Sequence, residues 1–402
     1  MQSISRTLLA AACAGAIAAP AAAAEAPRHH DAQRYTITVM TSLGGTNSRA
    51  NSLDDLGIVG GYSKVTGNAV RHATIWSLRA PQAPIDLSSL GGAAFNSSVA
   101  WPVKNNVGLI SGISETGAVN PLGETWSCGF FFATSGNVCY GFVTSAFDPQ
   151  HRLFALKPLP GGINSYATGT NDWGTTVGWA ENGVHDTTCA SDSDQVLQFR
   201  PVTWSLGQER PRRQLPLIAG DTSGAATAIN DRNQIVGISG TCDQAVGRKT
   251  ATHAVLWENG HATDLGSLGG TAWNTPTAIN EAGDIVGFAG TDPADADGNF
   301  THAFLKRRNH AMQDLGVLPG DISSTATAIN LVGQVVGYSN DAAFNTRAVV
   351  WQNGMPVDLG SLAPDFDGTL VLANDVNDFG VIAGRGLDAS GAIIAFVATP
   401  VR

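Results

Sequence analysis

An all-β fold made from one four-stranded unit used repeatedly is what this sequence predicts, on three observations. A motif recurs every 50 residues across the matching Asn230, Asn280 and Asn330. Glycine is abundant, 47 of 402 residues, against a usual share of about 7%, while Thr and Val are common and Lys and Glu scarce. A strand near the front, RYTITVMTSLGG (34–45), ends as the repeats end but has no repeat before it.

Taken in chain order, residues 1–24 read as a secretory signal peptide. Arg6 precedes a run of small apolar residues, and Ala22-Ala23-Ala24 before Glu25 suits cleavage. The run is too poor in Leu, Ile and Val for a membrane span, and Cys13 lacks the large neighbour of a lipoprotein site. Residues 25–34 form a linker and residues 35–402 the repeat domain. The protein is expected to be secreted, to the periplasm or the medium, without a membrane span.

Seven copies follow. They are LDDLGIVGGYS (53–63), VKNNVGLISG (103–112), GTNDWGTTVGW (169–179), TAINDRNQIVGIS (227–239), TAINEAGDIVGFA (277–289), TAINLVGQVVGYS (327–339) and NDVNDFGVIAG (374–384). Their anchors are Asp54, Asn105, Asn171, Asn230, Asn280, Asn330 and Asn377. The first strand of each is short and apolar. Asn then turns the chain, because it bonds its own backbone and tolerates left-handed dihedrals. A β-branched second strand with Gly and an alternating third strand such as HAVLW (253–257) come next. Asn-Gly at 259–260 and 353–354 makes a tight hairpin into a fourth strand ending in DLG.

A four-stranded unit cannot bury both faces alone, so its copies must stack. The last copy stops after its third strand, and RYTITVMTSLGG supplies a fourth. Ring closure uses this strand and hides two edges together, whereas a solenoid would leave them open. The sequence therefore predicts a seven-bladed β-propeller whose last blade is completed by Tyr35–Met40 pairing beside Ile393–Ala398.

The units resemble the HAF repeat of bacterial extracellular proteins, named for the tripeptide present here as His302-Ala303-Phe304. His253-Ala254-Val255 and His72-Ala73-Thr74 are variants, and the DLGxLGG and AIN-x-x-G-x-IVG elements also match. The resemblance covers essentially the whole mature chain. It implies export and a repeat architecture, and carries no chemistry over to individual residues.

For function, the charge of -10, or -11 once Arg6 leaves with the leader, and the lack of basic clusters argue against nucleic acid and anionic membranes. An extracellular glycan or protein is the expected partner class, and a monomer the expected state. Cys128, Cys139, Cys189 and Cys242 allow three disulfide pairings in an exported chain. Location favours Cys128–Cys139 within one loop and Cys189–Cys242 between adjacent blades.

Insertions at 113–141, 181–195, 240–251 and 290–301 fall between second and third strands of blades two to five, all on one face. Binding usually lives on such loops. On the same face, the axial ends of the SLGG loops present the ligand-face candidates Phe95, Tyr166, Asp221, Trp273, Asp321, Phe366 and Asp367, and His185 joins them from an insertion. Aromatics mixed with carboxylates suit a sugar. Asp292, Asp295, Asp297 and Asn299 crowd a short loop with the oxygens that Ca²⁺ wants, which makes calcium the one cofactor the sequence offers. His72, His253 and His302 recur at one place in the blade, so they read as scaffold. The reading is a binding module. Its alternative is a carbohydrate-active hydrolase or lyase with a site at the axis, and a third is a surface adhesin. No G-x-S-x-G elbow, H-E-x-x-H or P-loop stands in a suitable context.

Overall fold

Gly-rich turns and β-branched strands do assemble into repeated sheets. The computed structural model describes residues 33–401 except 93–95, 102–104, 125–127, 129–131, 133–134, 244–250 and 296–297. The signal peptide, Phe95 and Asp297 therefore lie outside the described residues. Five sheets have four strands each, and a sixth has eight. The larger sheet is two four-stranded units joined by a single parallel bridge, Asn47 to Ile393. The fold is all-β and propeller-like.

One of those units contains the front strand. Tyr35–Met40 pairs antiparallel with the last strand, from Tyr35↔Pro400 to Met40↔Ala395, two residues further along than expected. Gln33 extends the seam with a bond from its Nε2 to the Val401 carbonyl at 2.7 Å. The strand also supplies core: Tyr35 and Met40 are both buried.

First strands of successive sheets lie against one another and so define an axis. Each well-ordered copy bulges there, with the register slipping between Ala226 and Ala228, Pro276 and Ala278, and Ala326 and Ala328. The glycine inside each second strand faces that bulge. A Cβ on Gly237, Gly287 or Gly337 would stand 2.0, 2.1 or 1.9 Å from the first-strand carbonyl oxygen opposite. The recurrent IVG is thus a steric requirement of the bulge.

The other recurrent residues bond between strands or sheets. His72, His253 and His302 meet the Asp of the DLG element through Nδ1 at 2.9, 2.8 and 2.8 Å, and this joins third strand to fourth. Arg347 takes the histidine's place in the sixth copy and reaches Asp358 at 3.7 Å. Trp76, Trp204, Trp257 and Trp351 each donate an indole N–H to a carbonyl some 35 to 50 residues upstream. Both disulfides form as expected, Cys128–Cys139 and Cys189–Cys242.

Two of the insertions are not loops at their base. In the second copy, strands Leu109–Val119 and Asn137–Ser145 run on past the sheet, and in the third Thr175–His185 and Leu197–Ser205 do the same. Alternating residues and a register slip after Glu115 and after Glu181 let the hairpins lengthen and twist. The third strand of the second copy therefore begins well before the TSAFD segment (144–148) that the sequence suggested.

Anchor asparagines stitch sheet to sheet. Nδ2 of Asn171, Asn230, Asn280 and Asn330 donates to the next anchor's carbonyl at 3.1, 3.0, 2.9 and 2.9 Å. Asn377 closes onto the Asp54 carbonyl at 3.2 Å. Asp54 keeps the local half of the pattern, its Oδ1 accepting the Ile58 N–H at 2.8 Å. Its Oδ2, standing where the others carry Nδ2, is buried without a partner. A proton on that oxygen would restore a donor. Burial, opposed by backbone N–H bonds and aided by Asp55, raises the Asp54 pKa to about 6.

Two predictions follow from these contacts. Gly337→Ala is expected to cost about 2–4 kcal/mol by urea unfolding, because neither the backbone carbonyl nor the bulge can yield. For Asp54, the folded pKa lies above the unfolded one. Its contribution is therefore complete below about pH 4 and lost as pH rises through about 6. Asp54→Asn, which supplies a permanent donor, is expected to stabilise the protein at pH 7.5 by about 1–2 kcal/mol, discounted for solvent access. It should also flatten the stability profile between those pH values. Unchanged profiles for the two proteins would refute this assignment.

Candidate functional site

The residue after each anchor builds a feature that the strand pattern conceals. In chain order these residues are Asp55, Asn106, Asp172, Asp231, Glu281, Leu331 and Asp378. All of them line one cavity of about 100 Å³ at the axis, on the side of the short first-to-second turns. The inserted loops lie on the other side.

Backbone bonds hold the five carboxylates in place. Asp55 accepts the Asp378 N–H at 2.9 Å, Asp172 that of Asn106 at 2.6 Å, and Asp231 that of Asp172 at 2.8 Å. Glu281 accepts from Asp231 at 2.8 Å, and Asp378 from Leu331 at 2.7 Å. Each side chain leans over the copy before it, so the ring is a collar with fixed geometry. Like charges in so small a space oppose ionisation. Burial and then Asp172 raise the Asp231 pKa, while burial, with Asp231 and Asp172 adding to it, raises that of Glu281. Carboxylates around a cavity with low-dielectric walls focus a negative field there.

The next position outward is apolar and exposed in five copies: Leu56, Val107, Trp173, Val332 and Phe379. Trp173 is 74% exposed, Val332 77% and Phe379 66%. Single exposed apolar residues need no explanation, but five of the seven turns around a charged cavity carry one, the adjacent fourth and fifth copies having Arg232 and Ala282 instead. Trp173 is fixed by a bond from its indole N–H to the Asp231 carbonyl at 2.9 Å.

Below the collar the axis narrows to a neck of about 10 Å³. Hydroxyls of Thr168, Thr227, Thr277 and Thr327 donate to carbonyls of the next sheet at 2.9, 2.7, 2.7 and 2.6 Å. Asn374 and Asn51 do the same at 2.8 and 2.7 Å. The space there is about that of one water.

The candidates on the inserted face are dispersed. Tyr166 lies within a strand, buried in the core with its ring 4.4 Å from Trp179, because the first strand starts one residue earlier. That removes it from the loop end where the sequence suggested it. Asp321 is buried against Arg347 at 2.6 Å, and Asp221 accepts the Ser239 hydroxyl at 2.6 Å. Phe366 packs on the core. Trp273 is half-buried, 6.4 Å from Phe288, while His185 and Asp367 are exposed.

In the acidic loop, Asp292 and Asp295 cap N–H groups of Ala294 and Phe300 at 2.8 and 2.7 Å, and Asn299 is half-buried. Among the described residues no group of three or more His, Cys, Asp or Glu side chains could hold a metal ion.

The insertions themselves are pinned. Glu124, in the insertion of the second copy, accepts the N–H groups of Val196 and Leu197 at 2.6 and 2.8 Å. Buried Asp186 takes the hydroxyls of Thr222 and Ser223 across to the fourth copy, both at 2.8 Å. Burial, then Glu124, lifts the Glu181 pKa to about 7 at the hairpin base.

No family model matches the chain, and no curated protein matches it. Solved structures do. An acylaminoacyl peptidase from Pyrococcus horikoshii matches with a TM-score of 0.50 at 9% identity, over 90% of this chain and 54% of its own. The chain thus spans about half the length of that protein. A protein of unknown function from Dyadobacter fermentans gives a TM-score of 0.43 at 10% identity, over 92% and 99%. An oligogalacturonate lyase from Vibrio parahaemolyticus gives 0.38 at 8%, over 91% and 96%. At such identities the peptidase likeness speaks for the propeller-like fold alone.

Proposed function

We propose that the chain is an exported binding module, a seven-bladed propeller of HAF-type repeats, that holds a cationic group of a partner at its axial collar. The observation that carries this reading is the coincidence of five carboxylates around the cavity with exposed apolar residues on five of its seven turns. A Lys or Arg side chain flanked by apolar residues on a protein partner has the complementary chemistry. The closed neck favours capture over passage. A second reading, a carbohydrate-active enzyme, draws on the raised pKa values of Asp231 and Glu281, which suit a general acid.

The test compares a Leu- and Lys-containing peptide with its Lys-acetylated form by calorimetry, at about 50 and 500 mM salt. The charged peptide is expected to bind, and to weaken about tenfold or more at high salt. Asp231→Asn with Glu281→Gln keeps the oxygens that accept backbone N–H groups, and is expected to weaken binding at least about tenfold. Equal binding of both peptides, or indifference to the double substitution, would overturn the reading. Release of product from a glycan panel would favour the enzyme instead.

A further inference from the structure

On the inserted-loop side of the neck the electrostatics reverse. Arg49 precedes Ala50, whose carbonyl belongs to the neck girdle. The corresponding first-strand residues, identified by the carbonyl that faces each second-strand glycine, are Val99, Tyr166, Ala225, Thr275, Thr325 and Leu372. None of these is charged, so the fold does not ask for a cation here.

The guanidinium of Arg49 donates to Asn374 Oδ1 at 2.6 Å and lies 5.6 Å from the centre of the Trp101 ring. Its Nε is buried without an acceptor. Arg385, on the strand Ile382–Leu387 and opposite Leu372 in the register, stands at the same level of the axis. Burial depresses the Arg49 pKa, Tyr62 opposes this, and the charge of Arg385 pushes it down again. Among the described residues no carboxylate lies within salt-bridge distance of either arginine. The contrast is Arg347, which has both Asp321 and Asp358. Arg49, beside the Trp101 ring, and Arg385 thus carry like charges that no described carboxylate answers.

The geometry points to Arg49 and Arg385 as an oxyanion-binding subsite at the axis beneath the inserted loops, taking the carboxylate of a ligand whose body rests on Trp101. A planar carboxylate matches the guanidinium fork and supplies the missing counter-charge. The sugar acids and the aromatic acids both offer a carboxylate joined to a stackable ring. This inference is independent of the acidic collar, which sits at the other end of the neck and takes the opposite charge.

The experiment measures binding of galacturonate, benzoate and neutral galactose by calorimetry at low salt, in the full chain and in two variants. Both acids are expected to bind at least about tenfold more tightly than galactose, and the tighter of them identifies the ligand source. Arg385→Gln, which loses no side-chain bond seen in the structure, is expected to weaken the acids about tenfold. Without any anion it should raise Tm, because a like charge has left the funnel. Arg49→Lys keeps the charge but loses the fork, and should also weaken them. Indistinguishable affinities for acids and galactose would overturn the subsite. So would acid binding that survives Arg385→Gln unchanged.

Discussion

Everything in this molecule rests on hydrogen bonds that run from a side chain of one repeat to a backbone carbonyl of the next. Sheets meeting face to face around an axis have no continuous ladder between them, so their relative placement would otherwise depend on apolar packing alone. The threonines and asparagines of the first strands solve this twice, at the neck and at the anchor turns. Each bond contributes only about 1 kcal/mol net, yet leaving one carbonyl unpaired in a buried turn costs more. The repetition of small polar residues at fixed intervals follows from that accounting.

The same bonds position chemistry. Because five of the seven anchors donate to the next anchor's carbonyl, the residues after the anchors line the axis, and all of them but Leu331 accept a neighbour's N–H. A collar of carboxylates and a closed neck are therefore by-products of stitching, which natural sequence variation can tune one copy at a time. Leu331 and Asn106 show that the collar position tolerates other side chains. Five carboxylates kept at mutual electrostatic cost are more than the scaffold requires. The arginines beyond the neck pose the same question with the opposite sign.

Much of the fold was legible because its rules are local. Asn-Gly turns, the His and Asp that pair across strands, and the orphan strand at the front all announce themselves in one dimension. The site was harder to read, for a physical reason. Long insertions are the conspicuous feature of the sequence, yet those of the second to fourth copies are tied down by Glu124, Asp186 and two disulfides. The collar residues sit in the shortest turns, where nothing looks inserted. Reading the copies as a column would have exposed them, since Asp, Asn, Asp, Asp, Glu, Leu and Asp follow the anchors. Arg49 could be found the same way, as the charged exception in a neutral column. Tyr166 misled because its place in a strand, not a loop, depends on where pairing begins.

The seam between Tyr35–Met40 and the final strand has a temporal consequence. Gln33 and Val401, which bond across it, are 368 residues apart in sequence. A chain synthesised from its front end delivers one half of the seam first and the other half last. The opening strand must wait, unpaired, through the emergence of every other sheet. Loop closure over such a distance adds only slowly to the entropic cost, but it makes this contact the latest to form. Pairing of these two strands thereby depends on the segment that holds Ile393–Pro400. A chain broken off early offers its first strand no partner, and so carries an open edge that marks it as unfinished.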